Sequence, residues 1–168
     1  MREHFHPELQ AARYVVFVDA NRQYTDCSDD VTELVGYDRT QILNMRIDDL
    51  SYDKSDVPSL FEKYVREGQQ NGEYILRHKN GAGVLIRYNS WVFDDGCHAA
   101  VWEPAEEWEQ LFFAALTEAD PTKVQDTVFI AQHAIHKRQF TIGIGEGAEL
   151  RQKLRDADQI LRKILAWK

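Results

Sequence analysis

Residues 73–103 read EYILRHKNGAGVLIRYNSWVFDDGCHAAVWE and carry a regular pattern of apolar and polar side chains. Apolar and polar side chains alternate along this stretch with the period of two that is typical of β-strands. The alternation predicts strands over residues 73–79, 84–93 and 97–103, and the short glycine-containing segments 80–83 and 94–96 predict tight turns between them. Turns this short join neighbouring antiparallel strands, so the stretch predicts a three-stranded antiparallel sheet.

The residues before this stretch predict two more strands and then helices. Residues 14–18, YVVFV, are β-branched or aromatic, and residues 23–27 can form a returning strand. Helical patterns follow at 31–35, ended by a glycine, and at about 39–43. A longer helix from Asp56 to Gly68 has Pro58 in its first turn and one apolar stripe.

The residues after Pro104 show no strand pattern. Helices are predicted at about 105–119, 121–140 and 147–167, which divides the chain into an N-terminal segment 1–11, a domain 12–104 and a helical extension 105–168. In the last helix, apolar side chains recur at spacings of four and three and define a helix seam: Leu150, Leu154, Ala157, Leu161 and Ile164. Such a seam suits helix packing, either within a hairpin or across a dimer.

Composition excludes several classes of protein. The chain has 168 residues and a net charge of −8, which disfavours nucleic acid as a partner because phosphate contacts need clustered Lys and Arg. Two cysteines are too few for a disulfide scaffold or a four-cysteine zinc site. The N-terminal residues show no secretory signal, and the apolar runs are too short to predict a membrane span. The expected location is the cytoplasm.

The order of elements and three short motifs resemble a PAS domain over about residues 12–104. Residues 14–22 resemble the opening strand and turn of that family, residues 33–43, ELVGYDRTQIL, resemble its Leu-x-Gly-Tyr segment, and residues 78–81, HKNG, resemble its Arg-Lys-Asp-Gly turn. Two features depart from the family: Asn44 stands where glycine is usual, and the closing Asp-Ile-Thr motif that couples to an output helix is absent.

The resemblance implies an α+β fold: a five-stranded antiparallel sheet with flanking helices, followed here by an all-helical extension. That extension resembles the helical hairpins appended to some bacterial signalling proteins. Alignment to the family implies that Tyr74, Leu76 and His78 face a ligand pocket, with Ile86, Tyr88 and Ser90 on the neighbouring strand. The pocket candidates are Tyr64, Tyr74, Leu76, His78, Ile86 and Tyr88. The opposite sheet face then carries Ile75, Leu85, Trp91 and Phe93. This apolar set should be covered by the N-terminal residues, by the helix that contains Trp108 or by a second chain.

Specific chemistries find little support in the residues. Ile47 stands where a light-oxygen-voltage domain has its reactive cysteine, and the helix 56–68 has no histidine to bind haem. His133 and His136 have no second ligand pair for a metal, and His4 and His6 lie near the terminus. No catalytic residues, metal site or cofactor are predicted, although a noncovalent small ligand is compatible with the pocket.

Charge is distributed unevenly along the chain. Residues 148–168 hold six basic and three acidic side chains, so the acidic excess lies in the remainder of the chain, including the stretch from Glu103 to Asp120. A basic helix of this kind is expected to pack near an acidic one or to contact another protein.

These observations favour a stand-alone bacterial PAS sensory or regulatory module, not an enzyme, that acts through protein contact. The expected partners are a second copy of the chain and an unidentified signalling protein. The alternative is a ligand-free scaffold for dimerisation, in which side chains fill the pocket. A small enzyme or carrier on a related α+β fold is the third alternative.

Overall fold

The computed structural model describes residues 7–143 and 147–166. The chain divides into two compact units, Met1–Pro104 and Ala105–Lys168. The first unit contains five strands and five helices among the described residues: α1 Pro7–Ala11, β1 Tyr14–Val18, β2 Tyr24–Cys27, α2 Asp29–Val35, α3 Arg39–Leu43, α4 Ile47–Leu50, α5 Val57–Glu67, β3 Gln69–Arg77, β4 Gly83–Val92 and β5 His98–Pro104.

The five strands form one antiparallel sheet in the order β2-β1-β5-β4-β3. The expected α+β fold, with helices flanking a five-stranded antiparallel sheet and further helices after it, is confirmed. Val16 and Val18 of β1, Ile86 of β4 and Trp102 of β5 belong to one buried core cluster with side chains of α2, α3 and α4. This face of the sheet is called the inner face below.

Local sequence explains where the helices begin and end. Gly36 ends α2 with φ 75°, a left-handed conformation that glycine adopts without strain, and its N–H donates to Thr32 O. Asp38 begins α3 with a capping box completed by Gln41. Ser28 precedes α2, but its hydroxyl accepts from Val15 N–H at 3.0 Å and donates to Arg13 O at 2.8 Å, so this hydroxyl contacts the β1 segment.

Two elements differ from the sequence-based prediction. Residues 47–50 form α4, a single turn too short to show a helical period. β3 begins at Gln69, four residues before the predicted start, because the polar residues 69–72 pair in register with β4. Gly72, which the sequence places after the helix, lies opposite Tyr88 inside this ladder.

The outer side of β3 contacts the segment that follows α4. Ser51 forms an antiparallel bridge with Leu76, and Tyr52 N–H donates to Ile75 O at 3.1 Å. Ser51 is fully buried, and its hydroxyl donates to Ile47 O at 2.6 Å. The segment is therefore fixed against the edge of the sheet.

The second unit contains three helices among its described residues: α6 Glu107–Thr117, α7 Val124–Thr141 and α8 Ala148–Ala166. Asp120 and Pro121 lie in the break between α6 and α7, as predicted. The glycine-rich loop before α8 includes Gly145, which lies outside the described residues, as does the predicted helix end at 167. Within the part of the chain that the structure describes, no helix is long and apolar enough to cross a membrane.

Candidate functional site

A cavity of about 120 Å³ lies between the inner face of the sheet and helices α4 and α5; we call it the core cavity. Its walls are mostly apolar, and all of them belong to the first unit. The lining residues are Val16, Val18, Tyr24, Ile47, Val57, Leu60, Phe61, Tyr64, Gln70, Tyr74, Leu76, Ile86, Tyr88, Ser90, His98, Ala99, Ala100 and Trp102. None of these lining residues is a Lys, Arg, Asp or Glu, and His98 is the one basic side chain among them.

Five of the six side chains predicted to face a ligand pocket line the core cavity: Tyr64, Tyr74, Leu76, Ile86 and Tyr88. His78 does not. β3 ends at Arg77, so His78 begins the turn to β4, where its N–H donates to Ala82 O and its Nδ1 accepts from Asn80 N–H at 3.1 Å. His78 was assigned to the pocket as a continuation of the strand, but the strand ends one residue before it.

Two of the hydroxyls in the core cavity already have protein partners. Tyr74 Oη donates to Ser51 Oγ at 2.6 Å, and Ser90 Oγ donates to Gln70 O at 3.1 Å. Burial raises the pKa of Tyr74, so its phenol stays protonated at neutral pH. These two groups hold α4 and β3 in place and have less capacity left for a ligand.

Tyr64 and His98 are different. Tyr64 Oη and His98 Nδ1 are buried and have no hydrogen-bond partner of acceptable geometry among the described residues. Burial raises the pKa of Tyr64, and an interaction with nearby Ser90 only partly offsets this. Burial lowers the pKa of His98, while Asp19 acts weakly in the opposite direction, so the imidazole is neutral at pH 7. Each unpartnered atom costs stability unless something else bonds it.

The rings of Tyr64, His98 and Phe61 form one aromatic cluster. Their centroids are 5.4 Å apart, and Phe61 lies 5.8 Å from Tyr64 and 5.0 Å from His98. Phe61 is half-buried on α5 and lines the cavity, next to Leu60, which is 40% exposed. Phe61 therefore packs against both rings that carry an unpartnered atom.

An ion pair borders the same cluster. The guanidinium of Arg22 lies 5.9 Å from the centre of the Phe61 ring and contacts both carboxylate oxygens of Asp48, at 2.8 and 3.2 Å. Arg22 has φ 67°, an uncommon left-handed conformation for this residue type, and its carbonyl accepts from Ile47 N–H. Arg22 thus connects the β1–β2 turn to α4 and to Phe61.

His98 and Phe61 were not identified as pocket residues from the sequence, and neither was Ile47. The signal for His98 exists: it shares the alternating phase of Ala100 and Trp102, which both line the cavity. Ile47 was noted only for the cysteine it replaces, and it lies in the cavity wall. Phe61 belongs to the apolar stripe of its helix, which does not distinguish a lining side chain from a filling one.

The opposite face of the sheet carries the second predicted set. Trp91 is buried, and Ile75, Leu85 and Phe93 are half-buried. Helix α1 lies near this face, where Asn89 Nδ2 donates to Glu8 Oε2 at 3.5 Å. The N-terminal residues were one candidate for covering this face. The structure describes them only from Pro7 onward, so His4 and His6 lie outside the described residues.

The predicted seam of the last helix packs within the second unit. Leu154, Ala157 and Leu161 are buried in one cluster with side chains of α6 and α7, and Leu150 and Ile164 border it. The basic helix α8 packs in this cluster with α6, whose first turn is acidic, which agrees with the first of the two expectations for a basic last helix. The acidic Glu106 and Glu107, at the start of α6, contact Arg138 and Lys137 of α7, at 2.6 and 3.5 Å.

Chemistry other than binding has little support in the described residues. Among them no group of three or more His, Cys, Asp or Glu side chains is placed to hold a metal ion. Burial raises the pKa of both the Cys27 and Cys97 thiols, which makes them poor nucleophiles. Cys97 precedes β5, and its thiol donates to His98 O at 3.7 Å.

Comparison with known proteins finds several similar solved structures. The chain is similar to a domain of a sensory box sensor histidine kinase/response regulator from Geobacter sulfurreducens (18% identity, 54% of this chain, 81% of that chain, TM-score 0.49). It is also similar to the PAS domain, in complex with ethanol, of a LuxR-family transcriptional regulator from Burkholderia thailandensis (13%, 59%, 97%, 0.49). A third solved structure is a light-oxygen-voltage domain studied with a flavin analogue (15%, 63%, 87%, 0.51).

No curated protein matches the chain. Residues 13–102, more than half of its length, match the model of the PAS domain family. The five-stranded sheet, the helices on its inner face and the motifs over the same residues agree with that match. The chain therefore belongs to the PAS domain family.

Proposed function

We propose that this protein is a cytoplasmic sensory module of bacterial signal transduction that binds a small ligand in the core cavity and acts through contact with other proteins. The observation that carries the proposal is the unpartnered pair in the cavity wall, Tyr64 Oη and His98 Nδ1. A domain that only filled its core would be expected to pair these two atoms with its own backbone.

The size and lining of the core cavity support a ligand. Its volume of about 120 Å³ is close to that of the engineered cavity of roughly 150 Å³ that binds benzene. Its walls combine apolar side chains with a few polar ends, which is the mixture found in small-molecule sites. A ligand that bonds the two unpartnered atoms would recover the cost of leaving them buried.

The position of Phe61 suggests how binding could change the surface. Phe61 covers Tyr64 and His98 on one side and contacts the Arg22 guanidinium on the other. A ligand that moves this ring changes the environment of the Arg22–Asp48 pair, and with it the packing of α5 and the β1–β2 turn. A ligand shifts such an equilibrium only as far as it prefers one arrangement over the other.

Exposed apolar side chains support protein contact as the output. On α7, Phe140 is 91% exposed and Phe129 is 71% exposed, and Ile130 between them is also exposed. Large apolar side chains exposed together often mark protein interaction sites. We propose that these residues take part in a homodimer, with a further signalling protein as the receiving partner.

Native mass spectrometry of the full chain purified from a bacterial host tests ligand binding. The expected result is a species heavier than the chain by the mass of a small molecule, and an ultraviolet-visible spectrum recorded alongside shows whether that molecule absorbs. Ala100→Leu adds bulk to the cavity wall and should abolish the added mass. Val101→Leu is the matched control, since the next residue on β5 points to the other face.

The outcome decides between sensor and scaffold. A dimer without added mass, and with no small molecule stabilising it against heat, contradicts ligand binding and supports the scaffold. The dimer itself is tested with Phe140→Glu, which should give monomers by size-exclusion chromatography with light scattering, while Gln125→Glu on the same helix should leave the dimer intact. Wild-type protein that is monomeric at all accessible concentrations contradicts the homodimer.

A further inference from the structure

We propose that the core cavity selects an uncharged hydroxyl compound of about the size of phenol, whose hydroxyl bonds Tyr64 Oη and His98 Nδ1 together. This inference rests on the proposed ligand binding and names the class of ligand. It is carried by the two unpartnered atoms, by the hydroxyls that are already paired, and by the uncharged cavity wall.

The ligand must be small and mainly apolar. A cavity of about 120 Å³ holds a molecule of about six or seven non-hydrogen atoms, by comparison with the cavity that binds benzene. Most of the wall is aliphatic or aromatic, so most of the ligand surface must be apolar as well. Larger cofactors with polar groups at several positions do not fit this description.

The ligand must be uncharged. Among the residues that the structure describes, no Lys, Arg, Asp or Glu lines the cavity, and the lining base His98 has a pKa lowered by burial. A carboxylate or ammonium group would lose its hydration in the cavity without gaining an opposite charge, which is strongly unfavourable. Arg22, the nearby cation, is already engaged by Asp48.

A hydroxyl matches the available polar atoms best. Tyr74 and Ser90 already donate to protein oxygens, whereas Tyr64 Oη and His98 Nδ1 have no hydrogen-bond partner of acceptable geometry among the described residues. A neutral imidazole Nδ1 either donates or accepts, according to its tautomer. A ligand hydroxyl does both, so it can bond Tyr64 and either tautomer of His98, whereas a carbonyl can only accept.

A ligand that reaches the two unpartnered atoms passes next to Phe61. The two unpartnered atoms are shielded from solvent, and Phe61 packs against both of their rings. The partly exposed Leu60 lines the cavity beside it, so the route runs between α5 and the sheet at these two side chains. The ring of Phe61 is the group that a bound hydroxyl compound displaces.

Phenol and toluene test the inference, because they share a shape and differ in one hydroxyl. Isothermal titration calorimetry with the full wild-type chain should give binding of phenol that is at least about tenfold tighter than that of toluene, the effect of one hydrogen bond. Equal affinities would overturn the inference while leaving ligand binding intact. Binding of neither compound would overturn the inference as well, and would fit a cavity that holds water; the mass measurement on the purified protein then decides the proposed function separately.

A pair of variants locates the hydroxyl. Tyr64→Phe should reduce the preference for phenol over toluene to less than about threefold, because one of the two partners is gone. Tyr74→Phe is the matched control: it removes a hydroxyl that Ser51 already engages, and the preference should stay near its wild-type value. An unchanged preference in Tyr64→Phe would contradict the proposed contact, and far-ultraviolet circular dichroism establishes that each variant is folded.

Discussion

The imidazole of His78 occupies the space that a side chain at Gly36 would need: a Cβ built on Gly36 would lie 2.6 Å from His78 Nε2 and 2.7 Å from His78 Cε1. Gly36 also has φ 75°, a backbone conformation that residues with a side chain rarely adopt. The end of α2 and the β3–β4 turn are therefore packed in direct contact, and Lys79 N–H donates to Val35 O at 2.9 Å in the same place.

Gly36→Ala should consequently lower the free energy of unfolding by about 2 kcal/mol or more, measured by urea denaturation. Gly68→Ala is the matched control, since Gly68 has φ 77° but no heavy atom within 4 Å of a built Cβ, and it should cost only the conformational strain of about 1 kcal/mol. In a His78→Ala background the two glycine substitutions should cost the same. A larger cost for Gly68→Ala would contradict this account of the contact.

Stability should fall between neutral pH and pH 5 because of His98. Its pKa is lowered in the folded protein, below the ordinary value of 6.5, so the unfolded chain binds a proton first as the pH falls. The contribution of His98 is therefore fully present above pH 6.5 and is lost as the pH falls toward the lowered pKa. Denaturation midpoints measured from pH 7.5 to 5 should decline less steeply in His98→Gln than in the wild type.

The exposed His133 of α7 provides the control for that profile. His133→Gln removes an exposed histidine and is compared with His98→Gln in the same measurement. Parallel profiles for the wild type and His98→Gln would show that burial of His98 does not control stability in this range.

The ion pair of Arg22 and Asp48 should contribute measurably because both side chains are about three-quarters buried, with 26% and 25% of their surfaces exposed. Asp48→Asn should lower the free energy of unfolding by about 1 kcal/mol at pH 7. Arg22 lowers the pKa of Asp48, so the wild type keeps the contribution above pH 3.8 and loses it as the pH falls through the lowered value.

The difference between wild type and Asp48→Asn should therefore shrink at the acid end of the titration. Asp30→Asn tests the same substitution in the more exposed pair of Arg13 and Asp30, and it should change stability by less than about 0.5 kcal/mol. Equal effects of the two substitutions at pH 7 would contradict a role for partial burial.

Substitutions at two neighbouring positions of α8, one buried and one exposed, should differ in how far they lower the free energy of unfolding. Leu161 is fully buried, so Leu161→Ala should cost about 2–5 kcal/mol, as is usual for a large side chain lost from a core. Ile160 is 42% exposed, and Ile160→Ala should cost less than about 1 kcal/mol. Urea denaturation followed by tryptophan fluorescence measures both, because Trp108 belongs to the same cluster. Similar losses would contradict the packing of the seam.

Much of this fold could be predicted from the sequence, since alternation over residues 73–103 is long and regular. Tyr74, Leu76, Ile86 and Tyr88 share one phase of it, and all four line the core cavity. The strand order of the remaining elements came from the family motifs. The sequence pattern was sufficient to predict long elements, in which apolar and polar positions alternate with a constant period.

The rest depends on contacts between distant residues. The polar start of β3 resembles a loop, yet it pairs with β4, and Gly72 lies opposite Tyr88 in this ladder. His78 fits the alternating pattern of the strand in the sequence, but it lies in the turn after the strand. The unpartnered state of Tyr64 and His98 is a property of three-dimensional packing, so no sequence pattern could show it.

The bridge between Ser51 and Leu76 has a consequence for solubility. β3 is an outer strand of the sheet, and outer strands can recruit strands from other molecules and begin aggregation. Here Ser51 and Tyr52 occupy the rim at Leu76 and Ile75, where the strand is most apolar. The first five residues of β3, 69–73, are Gln, Gln, Asn, Gly and Glu, which have low β-propensity or carry charge. The segment after α4 thus also protects this sheet edge against pairing with strands of other molecules.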